Sequence, residues 1–170
     1  ILLPPEFATM PDGSTGNVAP AQQRLKGTQT NQNLHKIILA FDGAGTVIES
    51  CYFNFVMPND YSSGGALLLI GTINSVTGNV AFMQARVSAV TAADADTPLE
   101  HAFSTAATVS MTANTTEARR LLTGTITLNM DSAAAGDSIS IMVFRDPANA
   151  SDTHTSDFEF WGAEFQYTAA

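Results

Sequence analysis

From His35 onward the chain divides into short apolar segments at fairly even spacing, each closed by turn-forming residues, and few architectures accept that pattern. "HKIILAFDG" ends on the turn dipeptide Asp42-Gly43, "VIESCYFNFVMPND" alternates, "GALLLIGTI" is a continuous apolar run, and "GNVAFMQARVSAV" alternates again. "HAFSTAATVSMTA", "RRLLTGTITLNM", "DSISIMVFRD" and "FEFWGAEFQYTA" continue the habit with Thr and β-branched residues. Alternation puts Cys51, Phe53, Phe55 and Met57 on one face with Tyr52, Asn54 and Val56 on the other, and it sets Ala81, Met83, Ala85 and Val87 opposite Val80, Phe82, Gln84 and Arg86. Only "LEHAF" and "TTEARRLL" offer a helical alternative, and both are short. The pattern predicts an all-β fold, an antiparallel eight-stranded jelly-roll sandwich over residues 35–170.

Residues 1–34 differ. They carry four of the seven prolines, no sustained apolar period and a Gln/Asn/Thr tail, as expected of an extended N-terminal arm. The apolar beads Ile1, Leu2, Leu3 and Phe7 favour an arm that docks on something, and they are its expected contacts.

At 170 residues the chain is about one domain plus this extension. Seven basic against sixteen acidic residues give a charge of −9, which disfavours nucleic acid and anionic lipid as direct partners. The one adjacent basic pair, Arg119-Arg120, follows Glu117 and reads as a solvated strand start. The single Cys51 lies in an apolar alternating stretch, so it predicts a small core residue with no intrachain disulfide. No cationic, apolar leader occurs within these residues, and the longest apolar run, Ala66 to Ile70, is far short of the roughly 20 residues that span a bilayer. Neither a signal peptide nor a membrane anchor is expected here.

"RDPANASDTHTSDFEFWGAEFQY", residues 145–167, holds the most suggestive chemistry. Asp146, Asp152, His154 and Asp157 are ligand types, yet their spacing matches no calcium loop, and Asp, Ser and Pro147 suffice for a turn. Asp152, His154 and Asp157 remain weak candidates for an ion at a subunit contact; no cofactor is expected otherwise. Asp94, Asp96, Glu100 and His101 raise the same question in the loop "TAADADTPLEH". No G-x-S-x-G elbow, H-E-x-x-H helix, dinucleotide fingerprint or P-loop is present, and "FDGAGT" and "SSGGA" read as turns. Glu159 and Glu164 are five positions apart on one predicted strand, which puts them on opposite faces and disfavours a glycosidase pair. Strict alternation gives one face to Phe158, Phe160, Gly162, Glu164 and Gln166 and the other to Glu159, Trp161, Ala163, Phe165 and Tyr167. No catalytic residue is expected, and the chain is not expected to be an enzyme.

Several short marks recur in order: Pro58 to Tyr61, the Thr77–Asn79 turn, the Ala135–Asp137 turn, Arg145-Asp146, Asp152-Thr153 and a last strand ending in Tyr167. Over about residues 47–168 the chain thereby resembles jelly-roll virion proteins of tailed bacteriophages, of the head decoration (cement) or head-fibre type. The resemblance implies a structural protein made in the host cytoplasm and placed on the outer surface of the phage head. Its implied partners are the major capsid protein and neighbouring copies of itself in a homotrimer, and it implies that Arg145-Asp146 and Asp152-Thr153 are structural. The expected role is capsid decoration and stabilisation. The alternative is a receptor-binding, carbohydrate-binding module of a tail or head fibre, which calls for exposed loop aromatics; Tyr61 qualifies and Trp161, in a strand, does not.

Overall fold

The alternating segments become strands bounded by the turns their sequences contain. In the computed structural model, which describes residues 1–14, 16–27, 34–92, 95 and 97–170, these strands are β1 (Leu2–Leu3), β2 (Ala21–Lys26), β3 (His35–Phe41), β4 (Glu49–Val56), β5 (Tyr61–Ile73), β6 (Val80–Val90), β7 (Ala107–Thr112), β8 (Leu122–Thr127), β9 (Ser138–Arg145) and β10 (Phe158–Ala169). The one helical piece among the described residues is a 3-10 turn at Pro5–Phe7. Two antiparallel sheets form, in the orders β2-β3-β10-β5-β8, with β1 also on β10, and β4-β9-β6-β7. Counting β3 to β10 as one to eight, the sheets run 1-8-3-6 and 2-7-4-5, the order of a jelly roll. The eight-stranded antiparallel sandwich is therefore present, and the arm adds two strands to it.

The core lies between the sheets. Leu39, Phe41, Leu67, Leu69, Ile73 and Ile126 come from the six-stranded sheet and meet Cys51, Phe53, Met83, Val87, Ile141 and Val143 from the four-stranded one. The faces that alternation assigned to β4 and β6 are the observed ones. Cys51 is buried in this layer, and loss of hydration pushes its thiol well above the ordinary range, so it behaves as a small apolar group.

Strand β10 departs from strict alternation. Phe160 pairs with Gly71 and Gly162 with Ile70, which leaves Trp161 as the extra residue of a β-bulge. Gly162 has φ +138°, open to glycine and costly for any side chain, and a Cβ there would lie 3.3 Å from the Leu3 carbonyl where the arm crosses. The bulge shifts the phase by one residue, so Phe158, Phe160, Ala163 and Phe165 all face the core. The division into two mixed faces is thereby corrected. Phe160 stands edge-on to Phe41 and tilted on Phe53, each with centroids 6.1 Å apart, and Phe165 packs on Phe55 at 5.4 Å.

The arm touches both sheets. Leu2 pairs with Glu164 and Leu3 with Ala163, while Ile1 and Phe165 exchange backbone bonds of 2.7 and 2.8 Å. Farther on, Thr9 bridges Tyr52 and Val18 bridges Glu49 along the edge of β4, and β2 pairs along β3. These contacts cover strand edges that would otherwise invite pairing with other chains. Of the four apolar beads, Leu3 is buried in the chain's own core, Ile1 is partly exposed, and Leu2 and Phe7 project at 77% and 78% exposure.

Candidate functional site

The stretch that looked richest in ligands is organised by an arginine. Arg145, at the end of β9, has no exposed surface, and its five N–H groups all find acceptors. Nε donates to Asp152 Oδ2 at 2.7 Å and Nη2 to Asp152 Oδ1 at 2.8 Å, a bidentate pair. Nη1 donates to the Phe41 and Ser156 carbonyls at 3.0 and 2.8 Å, and Nη2 also to the His154 carbonyl. Asp152 Oδ2 additionally accepts from Phe82 N at 3.0 Å, while Thr153 Oγ1 accepts from Val80 N at 3.0 Å, which ties the loop to β6. Gly43 is required beside this cage, because a Cβ would fall on the His154 and Ser156 carbonyls and on the guanidinium.

Asp152, His154 and Asp157 are consequently not brought together as a ligand set. Asp152 is held by Arg145, His154 Nδ1 accepts from Ser156 N at 2.9 Å, and Asp157 faces the acidic Asp42 and Glu49. Among the described residues no three His, Cys, Asp or Glu side chains converge as a metal site. Asp94 and Asp96 lie outside the described residues; Glu100 is exposed, and His101 Nε2 pairs with Asp131 Oδ2 at 2.9 Å.

Titration of the loop has a direction. Burial pushes the His154 pKa below its usual 6.5, with Arg145 adding to the shift, so below about 6.5 the unfolded chain takes up a proton that the folded chain refuses. Stability from this group is complete above that value and is lost as pH falls toward the folded pKa. Burial raises Asp157 and Glu49; the charge of Asp42 raises Asp157 further, while the Asp42 backbone N–H bonded to Glu49 offsets part of the rise there. The folded forms of both hold protons more tightly, so they favour folding as pH drops through their raised values. Melting temperatures from pH 7 to 5.5 are expected to fall, and His154→Gln to flatten that slope; an unchanged slope in the variant would assign it elsewhere.

The bulge also changes the reading of Glu159 and Glu164. Glu159 pairs with Thr72 and Glu164 with Leu68, so both lie on the outer face of the six-stranded sheet, not on opposite faces. Four residues of β5 separate those partners, about 13 Å at about 3.3 Å per residue, beyond the roughly 5–9.5 Å of a glycosidase pair. Arg119 is solvent-exposed as expected, but it precedes β8, which begins at Leu122, and it has a partner. It sits side-on to Glu159, Nε to Oε1 at 2.9 Å, while Thr72 Oγ1 donates to Oε2 at 2.5 Å.

The best-formed binding geometry lies on the outer face of the four-stranded sheet. Alternation turns Tyr52 and Asn54 of β4, Ser88 of β6 and Ser140 of β9 outward there, and two segments wall them in. One is the loop at 97–104, pinned by Ser104 N to the Val87 carbonyl (2.8 Å), by Ser104 Oγ to the Asn129 carbonyl (3.0 Å) and by the His101–Asp131 pair; Asp131 Oδ2 also accepts from Ala89 N at 3.0 Å. It carries Phe103 to within 6.1 Å of the Tyr52 ring, tilted by 41°. The other wall is the arm, where Thr9 exchanges backbone bonds of 2.8 and 2.9 Å with Tyr52. Across the floor, Ser140 Oγ donates to Asn54 Oδ1 at 2.7 Å and Asn54 Nδ2 donates to Thr9 Oγ1 at 3.2 Å. The cavity measures about 230 Å³, and past Pro98, which lines both, it meets a second of about 320 Å³ with Val56, Val90 and Ser138. No Asp, Glu, Lys or Arg is among the residues lining either cavity. Sequence reasoning placed Tyr52 and Asn54 outward but had no signal for Phe103, which reaches the sheet only because its loop folds back.

No protein-family model matches the chain, and no curated protein sequence does. Several solved structures align with it. They include the CBM27-1 module of Caldicellulosiruptor saccharolyticus in complex with mannohexaose (7% identity, TM-score 0.46, covering 96% of this chain and 94% of that one). A mannan-recognising carbohydrate-binding module, TmCBM27, aligns at 10% identity and TM-score 0.41 over 96% of this chain and 90% of its own. A carbohydrate-binding module of the β-sandwich superfamily aligns at 11% and 0.42, over 91% of this chain and 59% of that one.

Proposed function

We propose that this chain is a non-catalytic binding module that holds a neutral carbohydrate in the groove on its four-stranded sheet. The observation that carries the reading is the pairing of the Tyr52 and Phe103 rings with an uncharged floor of Asn54, Ser88, Ser140 and Thr9. A sugar ring has an apolar C–H face and a rim of hydroxyls, and this groove supplies aromatic surface for the first and amide and hydroxyl groups for the second. No Lys or Arg lines either cavity and the one lining histidine, His101, is already turned to Asp131, which favours a neutral ligand over an acidic one, because a buried unpaired carboxylate is costly.

Screening the intact protein against an array of neutral oligosaccharides should give at least one ligand class. Tyr52→Ala should weaken that binding by about tenfold or more, equivalent to about 1.4 kcal/mol, while its melting curve stays close to that of the parent.

Capsid decoration is the second reading, and one observation favours it beyond the resemblance: Leu2 and Phe7 project from the arm at 77% and 78% exposure, as a contact to a shell or another subunit would require. In that reading the arm would join neighbouring copies, as a homotrimer, to the major capsid protein. A trimer in solution that Leu2→Asp dissociates, together with silence on the array, would move the assignment there.

A further inference from the structure

The β10 bulge turns the chain's one tryptophan onto the outer face of the other sheet. Trp161 lies half-buried beside Leu25, Leu34 and Lys36 in a cavity of about 250 Å³. Arg119 lines this cavity and also an adjoining polar one of about 400 Å³ that holds Gln23, Asn74 and Asp157. In a chain of net charge −9, three cationic residues, Lys26, Lys36 and Arg119, line the cavity around a single indole here. Lys36 Nζ stands 5.8 Å above the ring centroid and has no carboxylate partner among the described residues; the β2–β3 connection, residues 28–33, contains no acidic side chain.

Arg119 is held in place for its position in the cleft. Glu159, only 4% exposed, receives Nε at 2.9 and 3.1 Å and Nη2 at 2.9 Å, and is itself fixed by Thr72. That side-on pairing leaves Nη1 without a partner among the described residues. The backbone of Arg119 has φ +57°, a left-handed conformation that is strained for an ordinary side chain and persists only when its surroundings impose it. Here the bond from Arg119 N to the Ile73 carbonyl, at 2.8 Å, and the Glu159 pair impose it. Asp157 and the Glu159 carboxylate paired with Arg119 make the adjoining polar cavity acidic, so an anion is favoured on the Trp161 side, where Lys26 and Lys36 stand.

We propose that this cleft is a second binding site, selective for an acidic sugar. The apolar face of a uronate residue lies on Trp161, and its carboxylate lies between Lys36 Nζ and Arg119 Nη1. The site is separate from the groove, on the opposite sheet, and stands whether or not the groove binds a neutral glycan.

Because Trp161 is the chain's only tryptophan, its fluorescence reports this site alone. Titration with tetragalacturonate should change the emission saturably, and neutral galactotetraose or sodium sulfate at matched ionic strength should not. Calorimetry should show Lys36→Gln and Arg119→Lys each weakening tetragalacturonate about tenfold, and Tyr52→Ala leaving it unaltered, with melting curves near the parent's. A flat titration, an equal response to galactotetraose or to sulfate, or full affinity in Lys36→Gln would overturn the proposal.

Discussion

Arg145→Ala is expected to leave the chain largely unfolded or close to it. The substitution removes five hydrogen bonds and strands the Asp152 carboxylate, whose side chain is 1% exposed. Breaking a buried pair from one side costs about 3–5 kcal/mol, a large share of the roughly 5–15 kcal/mol that stabilises a domain of this size. Arg145→Lys keeps the charge but offers three donors from a point in place of a planar fork, so it should recover little. Chelator should leave the parent's melting temperature unchanged, because the cation that orders residues 146–157 is the guanidinium. Urea denaturation of both variants checks this. A midpoint for Arg145→Ala within experimental error of the parent's would refute the role given to the arginine.

Phe160→Ala and Phe165→Ala should each cost about 3–5 kcal/mol, the usual range for a phenylalanine truncated in a packed core. The pair is informative because the two positions differ by five. Without a bulge they would point to opposite sides of β10, and one of them would tolerate alanine. Equal, large losses in denaturant midpoint are the outcome the bulge predicts. A mild effect, under about 1 kcal/mol, at either position would restore unbroken alternation.

That comparison also marks where local pattern stopped being informative. The eight body strands, the inward sets of β4 and β6 and the buried Cys51 were readable, since alternation and turn residues act over a few positions. The bulge was not, because Gly162 is demanded by the arm crossing β10 some 160 residues away in sequence. Strand β1 was hidden for the same reason: two residues carry no period, and their partners are Glu164 and Ala163. Arg145 and Asp152 are visible as marks in the chain, yet nothing local says that they form one buried pair, which is why Asp152 resembles an ion ligand in sequence. The groove was half legible. Tyr52 and Asn54 were placed outward by their strand, but Phe103 and Thr9 come from a loop and an arm whose paths no periodicity describes.

The central claim, that the outer face of the four-stranded sheet is a neutral-glycan groove, is tested most directly by amide NMR shift mapping on the intact protein. With the best neutral oligosaccharide from the array added to saturation, the largest shifts should fall on Tyr52, Asn54, Ser88, Phe103 and Ser140, and Trp161 should stay still. Shifts clustered on the six-stranded sheet instead, or spread over no contiguous surface, would contradict it.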